Sequence, residues 1–110
     1  MKRSIRRQPR ARQDISEIAL YLERQSPQSA RRFLRAIDQA FTRLSSQPGT
    51  GARVSYDNPD LADLRVGAVE RFKSHLIFYL TKNDRIEVIR VLHGARGDIE
   101  RLLGESLEPT

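Results

Sequence analysis

Two histidines and a set of cations are the residues whose types and spacing suggest chemistry. Arg65, Arg71, Lys73, His75, Tyr79, Arg90, His93 and Arg96 all fall in one stretch of β-like texture. His75 opens the run HLIFYLT and His93 closes the run IEVIRVLH, so antiparallel pairing brings both rings to the same end of a sheet. A histidine beside Arg and Lys suits acid–base work on RNA. In that scheme His93 is base or acid for a 2′-hydroxyl, while Arg71, Lys73 and Arg90 stabilise charge on the phosphate. The same residues also suit docking of an acidic peptide, or simple completion of sheet edges, which are the commoner uses of Arg and His at strand ends. Phe72, between Arg71 and Lys73, is a stacking platform, a partner anchor or a satellite core residue.

Other chemistries find no support. There is no glycine-rich loop of phosphate-binding spacing and no nucleophile elbow. Cysteine is absent, which removes thiol nucleophiles, disulfides and thiolate zinc sites. The two histidines stand eighteen residues apart with no carboxylate cluster, so no metal and no cofactor is expected. No apolar run approaches the ~20 residues of a membrane span, and the basic start lacks the apolar block of a secretory signal. A cytoplasmic protein without membrane contact is the expectation.

The charge is unevenly placed. Lys and Arg number 20 against 14 acids, a net +6. Residues 1–12 carry Lys2, Arg3, Arg6, Arg7, Arg10 and Arg12 with no acid, so the whole excess lies in an N-terminal arm on a neutral body. Such an arm favours an acidic partner or nucleic acid, or serves as a solubilising edge strand. Arg supplies 17 of the 20 cations, which favours planar pairing with carboxylate or phosphate.

The elements that must position these groups are legible. One domain spans residues 1–110, with 1–12 as arm or edge strand and 104–110 as a flexible tail. Arg3–Gln8 reads as a poor, basic edge strand closed by Pro9. Ile15, Ile18, Ala19 and Leu22 line one face of a helix over Arg10–Gln25, with Asp14 and Glu17 off that face in its N-terminal half. Ser26-Pro27 caps and opens a second helix, to about Ser45, carrying Ala30, Phe33, Leu34, Ile37, Ala40, Phe41 and Leu44 as its stripe. From Leu64 the pattern becomes β, ending in a hairpin of His75–Thr81 and Ile86–His93 across a four-residue turn. Phe78 and Tyr79 point to opposite faces. Asp98 is the expected N-cap of a short last helix. The result is a two-layer α+β domain: an N-terminal strand, a helical hairpin on a small antiparallel sheet, and a short C-terminal helix.

These pieces resemble a known family. His75-Leu-Ile-Phe-Tyr79, then IEVIRVLHGAR over Ile86–Arg96 and Asp98-Ile99, is similar to the C-terminal half of the ParE branch of the ParE/RelE toxins. Ala11-x-x-Asp14-Ile15-x-x-Ile18 and Ser26-Pro27-x-x-Ala30-x-x-Phe33 resemble its helical half. The resemblance implies the toxin of a bacterial type II toxin–antitoxin pair, silenced by an acidic ParD-like antitoxin that adds helix and strand to its surface. It further implies DNA gyrase as the target, poisoned by binding rather than turnover. Arg65, Arg71, Lys73, His75, Arg90 and His93 are then the contact residues for antitoxin or target. RelE-type relatives instead cleave mRNA on the ribosome, often with a C-terminal tyrosine, and this chain has none after Tyr79. His93, Arg71, Lys73 and Arg90 are the catalytic set of that alternative. Direct nucleic-acid binding is the less favoured use of the charge. Two departures stand out: Gly97 separates Arg96 from Asp98 where the family usually reads HGARD, and Leu80 stands where relatives often carry Arg.

Overall fold

Proline and serine punctuation sets the helical half of the computed structural model, which describes residues 2–107. After β1 (Ser4–Arg7), Pro9 occupies the first position of α1 (Pro9–Gln25), where its fixed φ and missing N–H cost nothing. α2 (Pro27–Ser46) starts the same way. Ser26 closes one helix and opens the next: its N–H donates to the Leu22 carbonyl at 2.9 Å, and its own carbonyl accepts from Ser29. Its hydroxyl makes no capping bond, so the main chain does what the side chain was expected to do.

The remaining elements are β2 (Ala52–Arg53), β3 (Arg65–Val69), β4 (Phe72–Thr81), β5 (Arg85–His93) and α3 (Ile99–Leu107). One five-stranded sheet has the order β1-β5-β4-β3-β2. The expected hairpin forms, with a connection one residue shorter than expected because Arg85 already belongs to β5. β1 departs from the antiparallel expectation: it pairs parallel to β5, Ser4–Arg7 against Arg85–Val88, making the sheet mixed. Its direction is not set by a hairpin, because α1 to β4 intervene in sequence. Residues 104–107, expected in a tail, continue α3, and Leu107 packs on the core; the rest of that tail lies outside the described residues.

Alternate residues of the central strands feed two cores. Ile77, Tyr79, Ile86, Val88 and Val91 join Phe33, Ile37 and Phe41 beneath the helical hairpin. Phe78, Ile89 and Leu92 join Leu61, Leu64, Ile99, Leu102 and Leu103 beneath α3. Phe78 is therefore as buried as Tyr79, since α3 covers the face opposite the hairpin. Leu34, at the margin of the α2 stripe, is 42% exposed, and Ala36 is buried in the stripe instead.

Tyr79 also pins the long loop. Its hydroxyl donates to the Pro48 carbonyl at 2.7 Å and accepts from the Gly51 N–H at 3.1 Å. A Cβ on Gly51 would collide with that hydroxyl, so only glycine permits the approach. Gly51→Ala is expected to cost about 1–3 kcal/mol through overpacking. A lowered urea midpoint at unchanged m-value checks it.

Candidate functional site

The pairing of β4 and β5 places His75 directly opposite His93. The rings stand edge to face with centroids 5.3 Å apart. Phe33 supports them from α2, 5.5 Å from the His75 ring and 5.4 Å from Phe72. On this end of β4 the register against β3 shifts between Ala68 and Val69, leaving Lys73, Ser74 and His75 without β3 partners. The Ser74 carbonyl is held instead by the Gly94 N–H at 2.6 Å.

That irregularity opens a groove of about 600 Å³ between α1 and the strand ends. Arg71, Lys73, His75 and His93 line it together, as does Arg96. The opposite wall is a helical stripe the sequence reading did not single out as a site: Asp14, Glu17, Ile18 and Tyr21. Their offsets of 0, 3, 4 and 7 are the signal that could have found it. Tyr21 is 62% exposed.

Two expected site residues lie elsewhere. Arg65 sits on β3 beside β2, its guanidinium donating to the Gly51 carbonyl at 2.6 Å, and it lines a separate hollow with Arg53 and Lys82. Arg90, expected at the surface, is buried instead. It is 4% exposed and forms a two-pronged bond with Asp14, Nε at 2.7 Å and Nη2 at 2.9 Å. The cause is topological. β1 ends against Val88, so the edge of β5 beyond that point has no strand beside it. Asp14 substitutes: its carboxylate accepts the Val91 N–H at 3.0 Å and neutralises Arg90, whose Nη1 also reaches Ser106 of α3 at 3.5 Å. A bulge between Phe78 and Tyr79 accompanies this, with Ile89 as the extra residue. Arg90 is thus unavailable as a phosphate clamp or surface contact.

Protonation at the groove follows from burial. His75 Nδ1 is buried with no hydrogen-bond partner among the described residues, and desolvation, then the nearby His93, pushes its pKa below 6.5. His93 Nδ1 accepts the Ala95 N–H at 3.0 Å. Arg96 grips Asp98 with two bonds of 2.8 and 2.9 Å and, helped by Arg101, holds that carboxyl at about 2. Arg96 is thereby neutralised, and Arg71 and Lys73 remain the groove cations without a salt bridge among the described residues.

Because the unfolded chain binds a proton at His75 more readily than the folded one, stability from this group is complete above pH ~6.5 and falls as pH drops below it. The loss levels off below the folded pKa. Urea midpoints at pH 7.5 and 5.5 should differ, and His75→Gln should shrink the difference. An unchanged difference in that variant would remove His75 as the cause.

Among the described residues, no three His, Cys, Asp or Glu side chains stand together to hold a metal ion. No helix there is long and apolar enough to cross a membrane.

The family model for the ParE toxin of the type II toxin–antitoxin system parDE matches residues 5–97. Among solved structures, a chromosomal ParDE toxin–antitoxin system from P. aeruginosa superposes with a TM-score of 0.66 at 19% identity, covering 84% of this chain and 96% of that one. That likeness concerns the fold. No curated protein matches the sequence.

Proposed function

Because this chain belongs to the ParE toxin family of type II toxin–antitoxin systems, we propose that it inhibits DNA gyrase by binding and that an acidic ParD-like antitoxin silences it by filling the groove beside α1. The groove carries the antitoxin part of this reading, and the family carries the gyrase part. The groove is open, it offers Tyr21, Ile18 and Phe72 as apolar surface, and its free cations are Arg71 and Lys73. An amphipathic acidic helix matches both properties, apolar anchors for affinity and charge for steering. His75 and His93 form the groove end, where a neutral His75 leaves an apolar, edge-on contact for the partner. Arg65, at the other end of β3, is the contact residue for a segment that continues past the groove.

Supercoiling and cleavage assays with purified gyrase test the target. The expected result is inhibition at stoichiometric toxin, reversed by the antitoxin. No effect at that level would overturn the gyrase reading and leave the family assignment intact.

The His75–His93 juxtaposition, with Arg71 and Lys73 nearby, supports a second reading as a ribosome-dependent endoribonuclease with His93 as acid or base. Ribosome-programmed cleavage of mRNA tests it. Undiminished cleavage by His93→Ala would remove that role.

A further inference from the structure

We propose that the cleft between α2 and the β3–β4 turn binds the phosphate backbone of duplex DNA through Arg32, Arg35 and Arg71. The cleft, about 570 Å³, adjoins the groove described above, and Arg71 with Phe72 is the wall between them. Arg32 and Arg35 lie one turn apart on α2 and are exposed, as is Arg71. Among the described residues, none of the three makes a salt bridge or a side-chain hydrogen bond. The acid in the lining, Glu70, is paired with Arg43 at 3.5 Å. Three guanidiniums without an ion pair on one concave surface give it a positive potential that draws an anion.

The backbone adds a second observation. Arg71 has φ 69°, the left-handed region where a Cβ is disfavoured and glycine is the ordinary occupant of a turn. The strain is borne here by a cation, directed with Arg32 and Arg35 to the same cleft.

Phosphate fits better than carboxylate. The apolar groups at this cleft offer little free surface: Ala36 is buried in the core, and Phe72, half-buried against Phe33, is shared with the neighbouring groove. A peptide here would find three charges and, apart from the shared Phe72, no apolar anchor, a weak combination. A duplex gains from counterion release at each neutralised phosphate, and needs no apolar anchor. Guanidinium forks suit phosphate oxygens in two-pronged contacts.

The test is fluorescence anisotropy of a short labelled duplex with the full chain, between about 50 and 200 mM KCl. The parent should bind with log affinity falling linearly in log salt. Arg71→Gly should flatten the slope by about 0.9, and Arg32→Gln/Arg35→Gln by about 1.8. Glycine is at ease at φ 69°, so Arg71→Gly should melt no lower than the parent, which separates lost charge from lost fold. No duplex binding near 50 mM salt overturns the proposal. So do parental slopes in both variants, with the slope vanishing instead in Arg6→Gln/Arg10→Gln/Arg12→Gln. Loss of poly-glutamate binding in the cleft variants, with the DNA slope unchanged, also overturns it and assigns the cleft to carboxylates. Each result is independent of the gyrase assay.

Discussion

Asp14→Ala is expected to lower stability by about 3–5 kcal/mol, because it leaves the Arg90 guanidinium charged, buried and unpaired. Both side chains are buried, and the pair is two-pronged. The same substitution orphans the Val91 N–H at the bare edge of β5, a buried donor whose loss of partner costs about 1–3 kcal/mol by itself. Set against a typical total of about 5–15 kcal/mol, the variant should be largely unfolded at temperatures the parent tolerates. A second variant separates charge from hydrogen bond. Asp14→Leu/Arg90→Met removes both charges and should recover most of the loss, short of the Val91 bond. Thermal and urea unfolding of the three proteins checks this. A fall of under about 1 kcal/mol in Asp14→Ala would mean that Arg90 reaches water, and that the edge of β5 is not held as described.

Tyr21→Ala should leave the fold intact and weaken antitoxin binding by about 2–4 kcal/mol, roughly 30- to 1,000-fold. The expectation rests on the antitoxin reading. Tyr21 is 62% exposed on α1, so truncation removes little buried surface from the monomer, and stability should stay within about 0.5 kcal/mol. In the groove the ring stands across from Phe72 and the histidine pair, where a partner helix would bury it. Aromatic residues at the centre of a desolvated patch carry a disproportionate share of binding energy, and the change should appear mainly in the dissociation rate. Lys73→Glu is the contrasting variant: it reverses a rim charge and should slow association with a strong salt dependence. Surface plasmon resonance separates the two. Tyr21→Ala affinity within threefold of the parent would place the antitoxin on another face.

The helical hairpin, the β4–β5 hairpin and the nearness of His75 to His93 were legible because each depends on local pattern. Period 3.6 marks α1 and α2, Ser26-Pro27 divides them, and two apolar runs around a polar turn can pair in few registers. The partition of the contact set was not legible. Arg71, Lys73, His75, Arg90 and His93 look alike in sequence, yet four line the groove and Arg90 lies in the interior. Tyr21 and the Asp14 stripe resembled an ordinary solvated helix face, because what faces them is decided by strands fifty or more residues away.

By itself, then, the sequence determined the three helices, four of the five strands, their order, most of the apolar faces and the family, since turn chemistry and periodicity act over a few neighbouring residues; β2, two residues long, read as loop. Tertiary structure alone decided that β1 runs parallel to β5 and stops at Val88. From that stop follow the burial of Asp14 and Arg90 and the fastening of the β5 edge, while the shifted register of β4 opens the groove. The physical reason is that an unpaired strand edge must find its hydrogen-bond partner across space, and no local pattern specifies which side chain will supply it.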